Sequence, residues 1–344
     1  MAITAPDFAW LAALLVLAPC CTEVRAEGSI QDRASRHTLE IGAPDNVLGQ
    51  HLGPDDSIGS LLHHPAFSGY AEQILPWEDR NYDQDLKLHE IGTLLPYHTH
   101  VDPGTVLASL NHMIDEVAAG RPVFYDIYDE AEKRARPDKE QTGLFFFRGQ
   151  AGAPFAVVAP GGGFVYVGSV HEGFPYAREI SDRGLNAFVL KYRVGQGGRV
   201  ATEDMAAAVA YIFRNADALG VGTSAYSLWG SSAGARMAAS IGSHGTSAFG
   251  VAGYPKPAAV IMAYTAHSDI AAKEPPTFVT VGGRDRISPA SSMEKRIANL
   301  TSIGTAVEYR KFDDLGHGFG AGTGTSAEGW LREAVMFWER NMNR

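Results

Sequence analysis

Cysteine is nearly missing from this chain. Two occur in 344 residues, Cys20 and Cys21, side by side near the start. Thiol catalysis, a disulfide framework and cysteine-based metal sites are thereby excluded for everything after residue 21. Concentrated positive charge is missing too. Lys and Arg number 29 against 39 Asp and Glu, a net charge of −10 with no basic run. Nucleic acid is not an expected partner, because phosphate contacts need clustered Lys and Arg. Long apolar runs are absent after residue 18, so the mature chain is expected to have no membrane span. There is no internal repeat and no low-complexity linker.

The one apolar run, Phe8 to Ala18, is too short to cross a bilayer comfortably. Small residues follow it, and Val24-Arg25-Ala26 suits a cleavage site. Residues 1–26 read as a secretory signal peptide, although Asp7 and no Lys or Arg precede the apolar run. Cleavage there removes both cysteines and sends the protein to a secreted or periplasmic location. A buried N-terminal helix is the alternative. Leu17-Ala18-Pro19-Cys20 loosely resembles a lipoprotein box, with Pro19 a poor fit.

The remainder divides unevenly. Residues 27–120 form an N-terminal extension whose first half, rich in Gly, Asp, Pro and Ser, reads as an extended arm. One helix is predicted in it from Pro103, with Val106, Leu107, Leu110, Met113, Ile114 and Val117 at helical spacing. From residue 121 to 344 short apolar strands, the first over 123–128, alternate with helices. That alternation predicts an α/β fold, a mostly parallel twisted sheet with helices on both faces.

The chemistry centres on Gly230-Ser231-Ser232-Ala233-Gly234. A strand, Ser227-Leu228-Trp229, leads in and an Ala-rich helix leads out. Gly-x-Ser-x-Gly in that setting is a nucleophile elbow, a turn so tight that the serine stands clear of the sheet edge. A plain Gly-Ser turn is the bland alternative. A serine hydroxyl needs a base to take its proton. His317, in the glycine-flanked loop Gly316-His317-Gly318-Phe319-Gly320, suits that role; His267 reads as a surface residue. The acid follows the penultimate strand, where Asp285 can accept the histidine's other N–H and fix its tautomer. Asp313 and Asp314 lie on the histidine's own loop and suit less well. Pro160-Gly161-Gly162-Gly163-Phe164, directly after a buried strand, can offer backbone N–H groups to an oxyanion, joined by the N–H of Ala233. A phosphate cradle is the other use of such a loop, but no Gly-Lys-Ser/Thr follows it.

The ordered set PGGGF, Glu172-Gly173-Phe174-Pro175, Phe188 to Arg193, GSSAG, VGGRD and GHGFG resembles the α/β-hydrolase superfamily. Within it the chain is similar to the carboxylesterase and acetyl- or feruloyl-esterase-like branch. The resemblance implies an α/β-hydrolase fold, a triad of Ser232, Asp285 and His317, and an oxyanion hole from Gly162, Gly163 and Ala233, with Gly161 shaping the loop. It implies no cofactor. Pro160 stands where many members have His.

The expected activity is ester hydrolysis through an acyl-enzyme, on a small-molecule or polysaccharide-linked ester. An exopeptidase or amidase using the same residues, and a non-catalytic binding protein, are the alternatives. His63, His64, His89, His98 and His100 carry one His-x-His spacing that a metal site uses, but with no clear acidic partners they read as scattered packing histidines. Phe67, Tyr70, Trp77 and Tyr97 would suit a lid over an apolar pocket.

Overall fold

A computed structural model describes residues 45–343. The expected leader, both cysteines and residues 27–44 of the expected arm lie outside the described residues. An eight-stranded sheet organises the rest, in the order β1-β2-β4-β3-β5-β6-β7-β8. The strands are β1 (Phe124–Tyr125), β2 (Gly143–Phe147), β3 (Pro154–Ala159), β4 (Asn186–Lys191), β5 (Gly222–Ser231), β6 (Ala259–Ala263), β7 (Thr277–Gly282) and β8 (Val307–Phe312). β1, β2 and β4 pair antiparallel, and every pairing from β4 through β3 to β8 is parallel.

Parallel strands are buried on both faces, which explains their unbroken apolar runs. Successive side chains still alternate between two cores. Ala156 and Val158 of β3, Val189 of β4 and Trp229 of β5 enter one cluster. Phe155, Val157, Leu190 and Leu228 enter the other. The first core is covered by α1 (Pro103–Ala118), α2 (Phe174–Asp182) and, later in the chain, the C-terminal helix Trp330–Asn341. The second is covered by α3 (Gly198–Arg214), α4 (Ala233–His244) and α5 (Ala290–Ser302). The C-terminal helix is α6.

The predicted helix from Pro103 runs to Ala118, started by Asp102, whose side chain accepts from the N–H of Thr105 at 2.7 Å. Two details differ from the sequence reading. The strand expected over 123–128 shrinks to Phe124–Tyr125. The first part of the extension is not simply extended, since it contains the short helices Ile58–Leu62 and Ala71–Ile74. Their apolar residues Ile58, Leu61 and Ile74 are fully buried in the same core as α1 and α2. The segment is also tied to the sheet by polar contacts. The buried ammonium of Lys191, at the end of β4, donates to the carbonyl of Leu75 at 2.9 Å.

Candidate active site

Ser232 sits between β5 and α4 with φ 49° and ψ −112°, a conformation an L-residue adopts only when its surroundings force it. The glycines of the turn permit it. A Cβ on Gly234 would lie 1.9 Å from the carbonyl oxygen of Ala159, and one on Gly230 would lie 2.3 Å from the backbone of Gly234. α4 can therefore start directly against β3 and β5 only with glycine at both places.

Three sequence-predicted residues meet here. His317 Nε2 is 2.9 Å from Ser232 Oγ. His317 Nδ1 donates to Asp285 Oδ2 at 2.7 Å. Asp285, whose side chain is fully buried, also accepts on Oδ1 from the N–H groups of Ile287 and Ser288 at 2.8 and 2.7 Å. Three contacts of this kind leave the carboxylate one orientation. His317 is buried, with its ring edge-on to Tyr264 at 5.1 Å. Among the described residues neither Asp313 nor Asp314 hydrogen-bonds or ion-pairs with His317; Asp314 accepts from the Ser326 hydroxyl instead.

The glycine loop lies across the edge from Ser232. Gly162 has φ +129°, and a Cβ there would fall 2.1 Å from the carbonyl oxygen of Tyr166, so only glycine fits. Gly163, Ser232 and Ala233 line one cleft of about 550 Å³. Among the described residues no acceptor pairs with the N–H of Gly162, Gly163 or Ala233. Gly161 differs. Its N–H donates to Glu172 Oε2 at 2.5 Å and is not free for a ligand, which leaves it the loop-shaping part.

Glu172 is a functional position that the sequence offered only as part of a resemblance. It lies in a single widened turn, Ser169–Gly173, just before α2, and its side chain is wholly buried. Besides Gly161, it accepts from the Tyr264 hydroxyl at 2.7 Å and from His98 Nε2 at 3.0 Å. Burial alone would raise the Glu172 carboxyl; His98 and the hydroxyl of Tyr264 outweigh burial and hold it down to about 2. Tyr264 in turn meets Tyr176 at 3.1 Å, and Ser231 donates to Tyr176 at 3.0 Å. A hydrogen-bonded chain thus runs from the glycine loop under the nucleophile to the histidine loop, where the N–H of Gly320 donates to Tyr264 at 3.2 Å.

The extension enters this network through three residues. Tyr166 pairs with His98 Nδ1 at 2.9 Å and accepts from the N–H of Tyr97. Thr99 donates from its hydroxyl to the carbonyl of His317 at 2.8 Å. Three other histidines of the region bond the backbone: His63 donates to Gly59, His64 to Gln50 and His89 to Pro54. Among the described residues no three His, Cys, Asp or Glu side chains gather as a metal site. Phe67, Tyr70 and Trp77 are buried in the core, away from the cleft, and only Tyr97 is exposed near the site. His267, expected at the surface, is half-buried and lines the cleft. The loop after β6 that carries it borders the same cleft as Ser232, a placement that sequence spacing does not reveal.

These features define an α/β-hydrolase fold with a serine, a histidine and an aspartate in hydrogen-bond contact at its strand ends. Residues 148–252 match the family model BD-FAE, an α/β-hydrolase-type esterase family. Among solved structures the fold is shared by MGS-M1, an α/β-hydrolase enzyme from a Medee basin deep-sea metagenome library, at 21% identity over 59% of this chain and 93% of that one, TM-score 0.52. An acetyl ester-xyloside bifunctional hydrolase from Caldicellulosiruptor lactoaceticus matches at 19% identity over 58% and 88%, TM-score 0.52. A thermophilic esterase from Thermogutta terrifontis matches at 20% identity over 58% and 89%, TM-score 0.51. At these identities the likeness is one of fold. No curated protein matches the chain in sequence. No helix among the described residues is long and apolar enough to cross a membrane.

Proposed function

We propose that the protein is a carboxylic ester hydrolase working through an acyl-enzyme on Ser232. The observation that carries this reading is the chain Ser232–His317–Asp285, with contacts of 2.9 and 2.7 Å, beside unpaired backbone N–H groups on the same cleft. His317 Nε2 takes the hydroxyl proton as Ser232 Oγ attacks the carbonyl. Asp285 holds Nδ1–H and stabilises the imidazolium that forms. Gly162, Gly163 and Ala233 direct N–H groups at the developing oxyanion. His317 then gives its proton to the leaving alcohol. Water enters by the same route in reverse and releases the acid.

Acetyl or feruloyl esters linked to plant polysaccharide are the substrate class we favour. The BD-FAE match over 148–252 and the acetyl ester-xyloside hydrolase among the neighbours support it. Export is part of the same reading, supported by the apolar run and small-residue site within residues 1–26; cell fractionation checks it.

The test is Ser232→Ala assayed on 4-nitrophenyl acetate and with a fluorophosphonate. Loss of turnover by at least about 10³-fold and loss of labelling are expected. Undiminished turnover in the variant overturns the reading.

A further inference from the structure

The cleft beside Ser232 holds a cation for which the hydrolytic steps have no use. Arg236 lines it together with Gly163, Ser232 and Ala233. It follows Ser232 by four residues on α4, one turn or about 6 Å along the axis, and residues at that spacing share a face. Its guanidinium lies 5.9 Å from the ring of Phe164. Among the described residues no carboxylate pairs with it. Among the described residues the one carboxylate lining the cleft, Asp269, is already engaged: its Oδ2 accepts from His244 at 2.6 Å.

A second group in the cleft lacks a partner. His267 Nε2 is buried with no hydrogen bond among the described residues. Burial first, then Arg296 and Arg236, bring its pKa down to about 4, so at neutral pH the ring is uncharged and carries one N–H. A buried polar nitrogen without a partner is costly and rare, and calls for a ligand that supplies one. A guanidinium matches the two oxygens of a carboxylate.

We propose that Arg236 and His267 form a subsite for a carboxylate carried by the substrate, so that the preferred ester is an acidic one. This rests on the ester-hydrolase reading and narrows it. Two sources share the chemistry. The carboxylate belongs either to the alcohol part, as in an ester of a uronate-bearing saccharide, or to the acyl part, as in a dicarboxylic half-ester.

Two matched substrate pairs distinguish the sources. 4-Acetoxybenzoate against its methyl ester places the charge on the alcohol side. 4-Nitrophenyl hydrogen glutarate against 4-nitrophenyl valerate places it on the acyl side. In the wild-type chain the acidic member of one pair should have a kcat/KM higher by on the order of tenfold, mainly through KM. Added salt should shrink the difference. Arg236→Gln should bring the ratio close to one and Arg236→Lys should keep part of it. Ratios are compared, so a general loss of activity does not imitate the effect. Ratios near one for both pairs in the wild type, or a preference that survives Arg236→Gln, overturn the proposal.

Failure of the ester-hydrolase reading looks different: no neutral ester is turned over and Ser232 takes no phosphonate. In that case calorimetric binding of 4-hydroxybenzoate and of glutarate to Ser232→Ala decides the subsite. Binding that disappears on adding Arg236→Gln supports it. No binding, or binding indifferent to Arg236, overturns it.

Discussion

Glu172 offers the most direct way to ask whether the glycine loop is held from below. Its carboxylate accepts from three donors, the N–H of Gly161 at 2.5 Å, His98 Nε2 at 3.0 Å and the Tyr264 hydroxyl at 2.7 Å. Glu172→Ala strands all three in a buried site. At about 1–3 kcal/mol for each unsatisfied group, reduced by relaxation and water entry, the loss should be about 3–5 kcal/mol. Glu172→Gln is milder. Its one carbonyl oxygen can keep Gly161, and its NH2 can face His98 and Tyr264. His98 accommodates that change by moving its proton to Nδ1, toward the Tyr166 hydroxyl. The cost should then be about 1–2 kcal/mol. Catalysis separates the two variants further. Gly161 adjoins Gly162, and displacing one oxyanion donor costs about 10²–10³ in kcat. Glu172→Ala should lower kcat on 4-nitrophenyl acetate by about 10²-fold with little change in KM, whereas Glu172→Gln should stay within about tenfold. Active sites are counted with the fluorophosphonate and folding is followed by thermal melts. A folded Glu172→Ala protein with wild-type kcat per active site refutes the idea that this carboxylate positions the loop.

Gly162→Ala places a Cβ 2.1 Å from the Tyr166 carbonyl at φ +129°; the loop must move, and kcat should fall by about 10²-fold while the melting temperature changes modestly. Thr99→Val removes the 2.8 Å bond to the His317 carbonyl, and should cost about 1 kcal/mol in a denaturant titration. The pH dependence of stability has a definite sign. Burial, with His98 nearby, lowers His171 to about 4, so the folded state prefers it neutral; stability is full above pH 6.5 and is lost as pH falls from 6.5 through 4, by about 3 kcal/mol for this group. His171→Gln keeps an N–H for the Gly318 carbonyl and should flatten melting temperature against pH in that window; an unchanged slope refutes the assignment. Glu172, held at about 2, adds a second loss as pH falls below 4.5.

Ser232, Asp285 and His317 were legible in the sequence for a local reason. Each lies in the turn or loop that follows a strand, and the glycines around each report a backbone that must turn sharply in tight quarters. β5 into α4 can be read from ten consecutive residues because the same ten residues fix the geometry. The sheet was legible for a similar reason, since strands buried on both faces carry runs such as Phe155 to Ala159 that no surface segment needs. What resisted reading was the partner of each short element in the extension. Ile58–Leu62 and Ala71–Ile74 are too brief to show a helical period, and their burial follows from a core they share with α1, far along the chain.

Glu172 marks the same limit more sharply. A glutamate before a helix ordinarily reads as a solvated or capping residue, and its surroundings here come from four separated stretches: Gly161, His98, Tyr264 and, through Tyr176, Ser231. No spacing rule joins residues 98, 172 and 264. The charge is tolerable in the core only because all three donors arrive together, so the extension cannot be peripheral to the site. His98 supplies a donor to the carboxylate that fixes Gly161, while Thr99, the next residue, holds the carbonyl of His317. One turn of the extension therefore touches both the glycine loop and the histidine loop. Of the histidines that the sequence presented as scattered, His98 lies beneath the Ser232 edge, while His63, His64 and His89 bond backbone carbonyls.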